Sequence, residues 1–157
     1  MTEQGTQPPA IAPDALRIFV YDVLLDWGFP PTVAEIGAQF SVTPGEAREA
    51  LQRLKIGKTL LTHPEGGEIW MAGPFSAEPT AYRVTAGSRS WWANCAWDML
   101  GIPVIIGESV DVDAACYECG EPMRIRVDAV RGPDPSAPGI VHFLVPARRW
   151  YDDIGFT

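Results

Sequence analysis

The periodicity of the apolar residues changes near residue 60, and this change limits the possible folds more than any other feature of the sequence. Before that point, apolar side chains recur at three- and four-residue steps, which is the spacing of an amphipathic helix. One such series is Leu16, Phe19, Val20, Val23, Leu24 and Trp27. Beyond that point, apolar and polar residues alternate in several segments, as at Met123, Ile125 and Val127, which indicates strands with one buried face. The sequence therefore predicts an α+β fold.

Capping residues place the predicted helices of the first part. Asp14 can cap the first helix, and Gly28 ends it. Thr32 and Thr43 each stand three residues before a glutamate, which is the capping-box spacing, so each is predicted to begin another helix. A predicted hairpin with its turn at Gly66 follows. Three helices and a hairpin are the layout of a winged helix.

We expect this winged-helix-like module to span residues 13–75 and to pack on a small, mainly β domain of residues 76–157. Residues 1–12 are polar and rich in glycine and proline, which predicts disorder. The predicted elements after residue 75 are a strand at 81–84, a turn at Gly87, one helical turn at 91–100, two strands within 108–130, a loop at 131–139, a strand at 140–146 and a short helix or turn at 147–157.

A winged helix often binds DNA, but the charge of this chain opposes that function. The formal net charge is −8, whereas a nucleic-acid surface has to be basic. The predicted third helix carries four basic residues but also Glu46 and Glu49. We therefore expect a packing platform that does not bind nucleic acid. No apolar run is long enough for a membrane span, and the N-terminus lacks a basic signal segment, which predicts a cytoplasmic protein.

Cys95 and Asp98, within the segment Trp92-Ala93-Asn94-Cys95-Ala96-Trp97-Asp98, are the strongest candidates for chemistry. On one helical turn the two side chains would project from one face, in aromatic and apolar surroundings. Such surroundings would allow Asp98 to keep a proton that it could later donate. A thiolate at Cys95 would be a soft metal ligand. By spacing alone, a buried structural cysteine and a surface aspartate are the commoner explanation.

Cys116 and Cys119 form a CxxC motif in a predicted tight turn between two strands. Such a pair is half of a zinc site, a redox pair or a pair of structural thiols. Zinc would need further ligands, and the spacing of His63 and His142 does not supply them. We expect His142 to be partly buried in the strand at 140–146.

Taken in order, four segments resemble the organomercurial (alkylmercury) lyase family. They are GPFSAEPTAYRV, WWANCAWDMLGIP, the CxxCG turn and VHFLVPARRWYDDIGFT, and the helical part before them is also similar. The resemblance covers about residues 14–157, and ANCAWD is its most specific part. It implies cleavage of carbon–mercury bonds by protonolysis, giving a hydrocarbon and Hg(II), in mercury detoxification and without an organic cofactor.

The resemblance also assigns roles and partners. Cys95 matches the cysteine that binds mercury, and Asp98 matches the acid that protonates the departing carbon, so both are expected to contact mercury. The expected partners are an organomercurial, cellular thiols and a mercuric reductase. The family has a second catalytic cysteine near the point where this chain ends, and the sequence up to Thr157 does not contain it. We therefore expect a shortened or divergent member, in which Cys116 or Cys119 could supply the second thiol.

Two other functions remain open at this point. The first is a lyase-like protein that binds mercury or another soft metal without turnover. The second is a winged-helix regulator that senses metal through Cys116 and Cys119.

Overall fold

The computed structural model describes residues 11–56, 60–152 and 154, and it confirms the α+β prediction. The chain divides into two compact units, Met1–Glu78 and Pro79–Thr157. The expectation of disorder at residues 1–12 concerns mostly residues outside the described part. Among the described residues, no helix is both long and apolar enough to cross a membrane.

The first unit begins with three helices: α1 (Pro13–Trp27), α2 (Val33–Phe40) and α3 (Pro44–Ile56). Both predicted capping boxes are confirmed, because Glu35 and Glu46 each accept hydrogen bonds from the backbone N–H and hydroxyl of the threonine three residues before them. The prediction for Asp14 was wrong. Ala12 occupies the N-cap position, and Asp14 lies in the first turn of α1.

Three short strands follow in the same unit: β1 (Leu61–Thr62), β2 (Ile69–Ala72) and β3 (Phe75–Ser76). β1 and β2 form the predicted antiparallel hairpin, and β3 pairs with β2. Gly66 adopts a φ of 87° in the turn, a conformation that few other residues tolerate. The side chains of Leu16, Ile36 and Leu51, one from each helix, are fully buried in the core of this unit.

The described residues of the second unit form a five-stranded antiparallel sheet, one α-helix and one 3₁₀ helix. In chain order its elements are β4 (Tyr82–Ala86), β5 (Arg89–Ala93), α4 (Asp98–Ile106), β6 (Val110–Ala115), β7 (Pro122–Asp128), β8 (Gly132–Pro133) and a 3₁₀ helix (Ala147–Asp152). The strands lie in the order β5-β4-β6-β7-β8. Val84, Trp91 and Val112 occupy paired positions and are buried, which identifies the core-facing side of the sheet.

Two sequence predictions for this unit were wrong. The predicted helical turn at 91–100 is a strand as far as Ala93, and α4 begins only at Asp98. Trp91 is in the strand because its backbone pairs with Val84 and its indole fills the core. The predicted strand at 140–146 is irregular chain, and Ile140 is almost fully exposed.

Candidate active site

Cys95 lies in the four-residue link between β5 and α4, and Asp98 is the first residue of α4. The backbone carbonyl of Cys95 accepts a hydrogen bond of 3.1 Å from the N–H of Met99, so the link is tied to the first turn of the helix. Met99 itself is buried. A strand on one side and a packed helix on the other therefore fix the position of Cys95.

The structure brings the side chains of Cys95 and Asp98 together, although they do not share a helix as expected. Each of these two side chains affects the pKa of the other, so the thiol and the carboxyl group interact. Asn94 donates a hydrogen bond from Nδ2 to Oδ2 of Asp98, at 3.0 Å. Asp98 thus interacts both with the Cys95 thiol and with the Asn94 amide.

Burial raises the pKa of Asp98 above its ordinary value, and the hydrogen bonds from Asn94 and Cys95 only partly oppose this effect. A half-buried carboxyl group is costly to ionise because fewer water molecules solvate the negative charge. Asp98 consequently keeps a proton to higher pH than an exposed aspartate does. This is the property of a general acid.

The pKa of the Cys95 thiol is also raised, chiefly by burial and further by the negative charge of Asp98. The backbone N–H groups of Asp98 and Trp97 donate towards the sulfur and oppose that rise. Such N–H groups at the start of a helix stabilise negative charge. The sulfur is therefore a thiol at rest, with donors already in place for the thiolate that metal binding would produce.

Tyr82 is a member of this site that the sequence reasoning missed. Burial raises the pKa of its phenol, and the negative charges of the Cys95 and Cys116 thiolates raise it further. Tyr82 lies on β4 opposite Ala114 of β6, on the same side of the sheet as Val84. Only strand pairing brings residue 82 near both cysteines, so no local motif could have revealed it.

Trp97, in the link that carries Cys95, belongs to a cluster of aromatic side chains. The ring of Phe143 makes an edge contact with Trp97, with 5.9 Å between ring centroids, and stacks on Trp150 at 5.3 Å. Trp150 also donates a hydrogen bond of 3.0 Å to the carbonyl of Val145. These contacts hold the irregular segment around Phe143. The same segment carries His142, which is exposed and not partly buried as expected.

Cys116 and Cys119 occupy the tight turn between β6 and β7, as predicted, and no disulfide joins them. Across residues 11–56, 60–152 and 154, no group of three or more histidine, cysteine or acidic side chains is placed to hold a metal ion. A four-coordinate zinc site at this turn would need such a group.

The sequence profile of the alkylmercury lyase family (MerB) matches residues 75–156. The chain belongs to the alkylmercury lyase family. Cys95, Asp98 and the CxxC turn all lie inside the matched part of the chain.

Individual alkylmercury lyases are similar over a longer stretch. The Bacillus cereus enzyme is 27% identical over 131 residues, and the Streptomyces lividans enzyme is 30% identical over 125 residues. Each comparison covers 78% of this chain, but only 59% and 55% of the respective relative. This chain therefore spans little more than half the length of these relatives.

A solved structure also has a fold similar to that of this chain. The mercury-bound form of MerB2 has a similar fold, with a TM-score of 0.56 and 20% sequence identity. The alignment covers 78% of this chain and 58% of MerB2.

Proposed function

We propose that the protein is an organomercurial lyase that cleaves carbon–mercury bonds by protonolysis. The observation that carries this proposal is the placement of Cys95 and Asp98 three residues apart in a partly buried link and helix start, where thiol and carboxyl group affect each other's pKa. A soft sulfur ligand and a proton-holding oxygen are what the reaction requires. Membership of the alkylmercury lyase family supports the choice of substrate.

In the first step, the Cys95 sulfur displaces a thiolate or halide from mercury in R–Hg–X. A sulfur–mercury bond forms, the Hg–X bond breaks, and the thiol proton passes to the Asp98 carboxylate. Asp98 is the base available for this proton, because its carboxyl group interacts with the Cys95 thiol. The leaving group X departs as an anion.

In the second step, Asp98 donates this proton to the carbon of the organic group. The carbon–mercury bond breaks, its electron pair forms the new carbon–hydrogen bond, and the hydrocarbon leaves. Mercury stays in the Hg(II) state on Cys95, opposite an Asp98 carboxylate. No electron is gained or lost, so the chemistry needs no organic cofactor.

We further propose that residues 13–75 are a winged-helix-like platform and that residues 76–157 carry the catalytic groups. The helix order and the hairpin after α3 support the first assignment. The position of Cys95 and Asp98 supports the second. We place the protein in the cytoplasm, where thiols would deliver the organomercurial and a mercuric reductase would remove Hg(II).

Incubation with phenylmercury and excess thiol tests the proposal. Benzene should be released over several turnovers, and Cys95→Ala should abolish the release. Benzene release that persists in Cys95→Ala would disprove the role of Cys95. Binding of phenylmercury without benzene would instead support the alternative of mercury capture, which the family assignment does not favour.

A further inference from the structure

The CxxC turn, residues 116–121, brings two sulfur atoms together at the end of the β6–β7 hairpin. The backbone N–H of Cys116 donates to the carbonyl of Glu121 at 2.9 Å, and the N–H of Gly120 donates to the carbonyl of Cys116 at 2.8 Å. Gly120 has a φ of 73°, which allows the chain to close this loop. The loop is therefore held by its own backbone.

Inside this loop the two thiols interact. Hydrogen bonding from the backbone N–H of Cys119, the backbone N–H of Glu118 and the Cys119 thiol lowers the pKa of Cys116, in that order of size. Cys116 is partly exposed and Cys119 is exposed, so a ligand can reach both.

The ligand set of the turn selects the class of metal. Zinc requires four ligands, and among the described residues no third histidine, cysteine or acidic side chain, Glu118 and Glu121 included, is placed to bind one metal ion together with this pair. Two thiolates suffice for a soft cation that accepts few ligands. Hg(II) is such a cation, and it would also be the product of the reaction proposed above.

The turn also lies at the end of the sheet that leads into Cys95. Burial raises the pKa of the Tyr82 phenol at this end, and the charges of the Cys95 and Cys116 thiolates raise it further. Tyr82 pairs with Ala114, two residues before Cys116, and its own strand β4 pairs with β5, which leads into Cys95. Both cysteines are therefore found at the same end of the sheet.

We propose that Cys116 and Cys119 form a two-thiolate site that accepts Hg(II) from Cys95, an inference that rests on the proposed lyase function. The Cys116 thiolate attacks mercury, and a sulfur–mercury bond forms while the Asp98 carboxylate is displaced from the metal. The Cys119 sulfur then displaces Cys95, whose sulfur–mercury bond breaks. The Cys119 proton passes to the Cys95 thiolate. Mercury remains Hg(II) throughout, and Cys95 is returned as a thiol for the next substrate.

Binding is tested first, with inorganic Hg(II) and without any cleavage of carbon. The sequence has three cysteines, so Cys95→Ser leaves only the pair in the turn. HgCl2 added in the presence of glutathione should bind with one mercury per chain and protect both thiols from a disulfide reagent. Adding Cys119→Ser should weaken binding by about 100-fold or more, because the second contact is no longer intramolecular. Tyr117→Ser, an exposed neighbour in the same turn, is the matched control and should change nothing.

Equal affinity with and without Cys119, or one mercury shared between two chains, would overturn the proposed site. Transfer is tested in the wild-type protein with one equivalent of phenylmercury, followed by alkylation and peptide mass mapping. Cys116 and Cys119 should be protected and Cys95 alkylated after benzene has left, whereas continued protection of Cys95 would refute the transfer. Absence of benzene would contradict the lyase function itself, and the HgCl2 titration would still decide whether the turn binds Hg(II).

Discussion

The side-chain amide of Asn94 donates from Nδ2 to Oδ2 of Asp98 at 3.0 Å, while Oδ1 of the same amide is buried and has no hydrogen-bond partner among the described residues. A buried amide oxygen without a partner costs free energy. The position of Asn94 thus allows its hydrogen bond to the Asp98 carboxyl group but leaves its own amide oxygen unpaired among the described residues.

Replacing Asn94 by alanine should slow the reaction and shift its pH dependence. The hydrogen bond from Asn94 lowers the pKa of Asp98, so its loss should raise that pKa further. We expect kcat/KM to fall about 10-fold, the worth of one hydrogen bond to a charged group. The alkaline limb of the pH profile of kcat, which reports Asp98 after it has taken the thiol proton, should move to higher pH, and Asn94→Gln should restore part of the rate. An unmoved profile would mean that Asn94 is merely structural.

Asp98→Asn should separate binding from cleavage. The asparagine can still accept the hydrogen bond from Asn94, but it has no proton to donate to carbon. Loss of a general acid should reduce hydrocarbon release by about 10²–10⁴-fold. Binding of phenylmercury, followed by mass spectrometry, should persist because Cys95 is intact. A rate near that of the wild type would exclude Asp98 as the proton donor.

The same variant should alter how stability depends on pH. Because the pKa of Asp98 is raised on folding, the folded protein binds this proton more tightly than the unfolded chain does. The contribution of Asp98 to stability is therefore greatest at low pH and is lost as the pH rises through its folded-state pKa. The melting temperature of Asp98→Asn, relative to the wild type, should increase as the pH rises above about 4, the ordinary pKa of an aspartate. A constant difference would contradict the raised pKa.

Asp98→Asn should also make Cys95 more reactive towards alkylation. The negative charge of Asp98 and the hydrogen bond that it accepts both raise the pKa of the thiol. Removing the charge should lower that pKa and increase the thiolate fraction near neutral pH. The check is the pH dependence of iodoacetamide labelling at Cys95, read by peptide mass mapping. Labelling of exposed Cys119 in the same sample serves as an internal reference.

Two glycines of the first unit should respond to alanine in opposite directions. A Cβ at Gly37 in α2 would lie 3.0 Å from the carbonyl oxygen of Val42, so Gly37→Ala should destabilise the protein by about 1–3 kcal/mol. A Cβ at Gly45 in α3 would meet only the Thr43 hydroxyl, at 3.8 Å. Gly45→Ala should therefore stabilise by about 0.4–1 kcal/mol. Chemical denaturation of both variants measures the difference, and equal effects would contradict the close approach at Gly37.

Elements with local signals could be predicted from the sequence. The capping boxes at Thr32 and Thr43 satisfy backbone groups within a few residues, so their spacing alone identifies the helix starts. The CxxC turn was equally visible, because alternating strands flank it on both sides. Elements without such signals were misread. The Trp91–Ala93 strand depends on its pairing with β4, and α4 continues through Pro103 to Ile106, where the sequence indicated an earlier end.

The sequence also failed to predict the structure of the apolar segment at 140–146. Its composition predicts a strand, but Phe143 packs between the rings of Trp97 and Trp150 and its backbone joins no sheet. For the candidate site, ANCAWD predicted Cys95 and Asp98, and their catalytic roles stay a prediction. The contribution of Tyr82 depends on the register between β4 and β6, which composition cannot specify.

Asn94, Cys95 and Asp98 belong to five consecutive residues, bounded by a strand and a helix that fix both ends. Their mutual geometry needs no long-range chain closure and can form as soon as β5 and α4 dock. We therefore expect that this five-residue segment can be transferred to another protein. Grafted between a strand and a helix of another antiparallel scaffold, it should keep the interactions among its thiol, carboxyl and amide groups. Substitutions in distant loops would then change which ligands reach the Cys95 sulfur, without changing the relative positions of Asn94, Cys95 and Asp98.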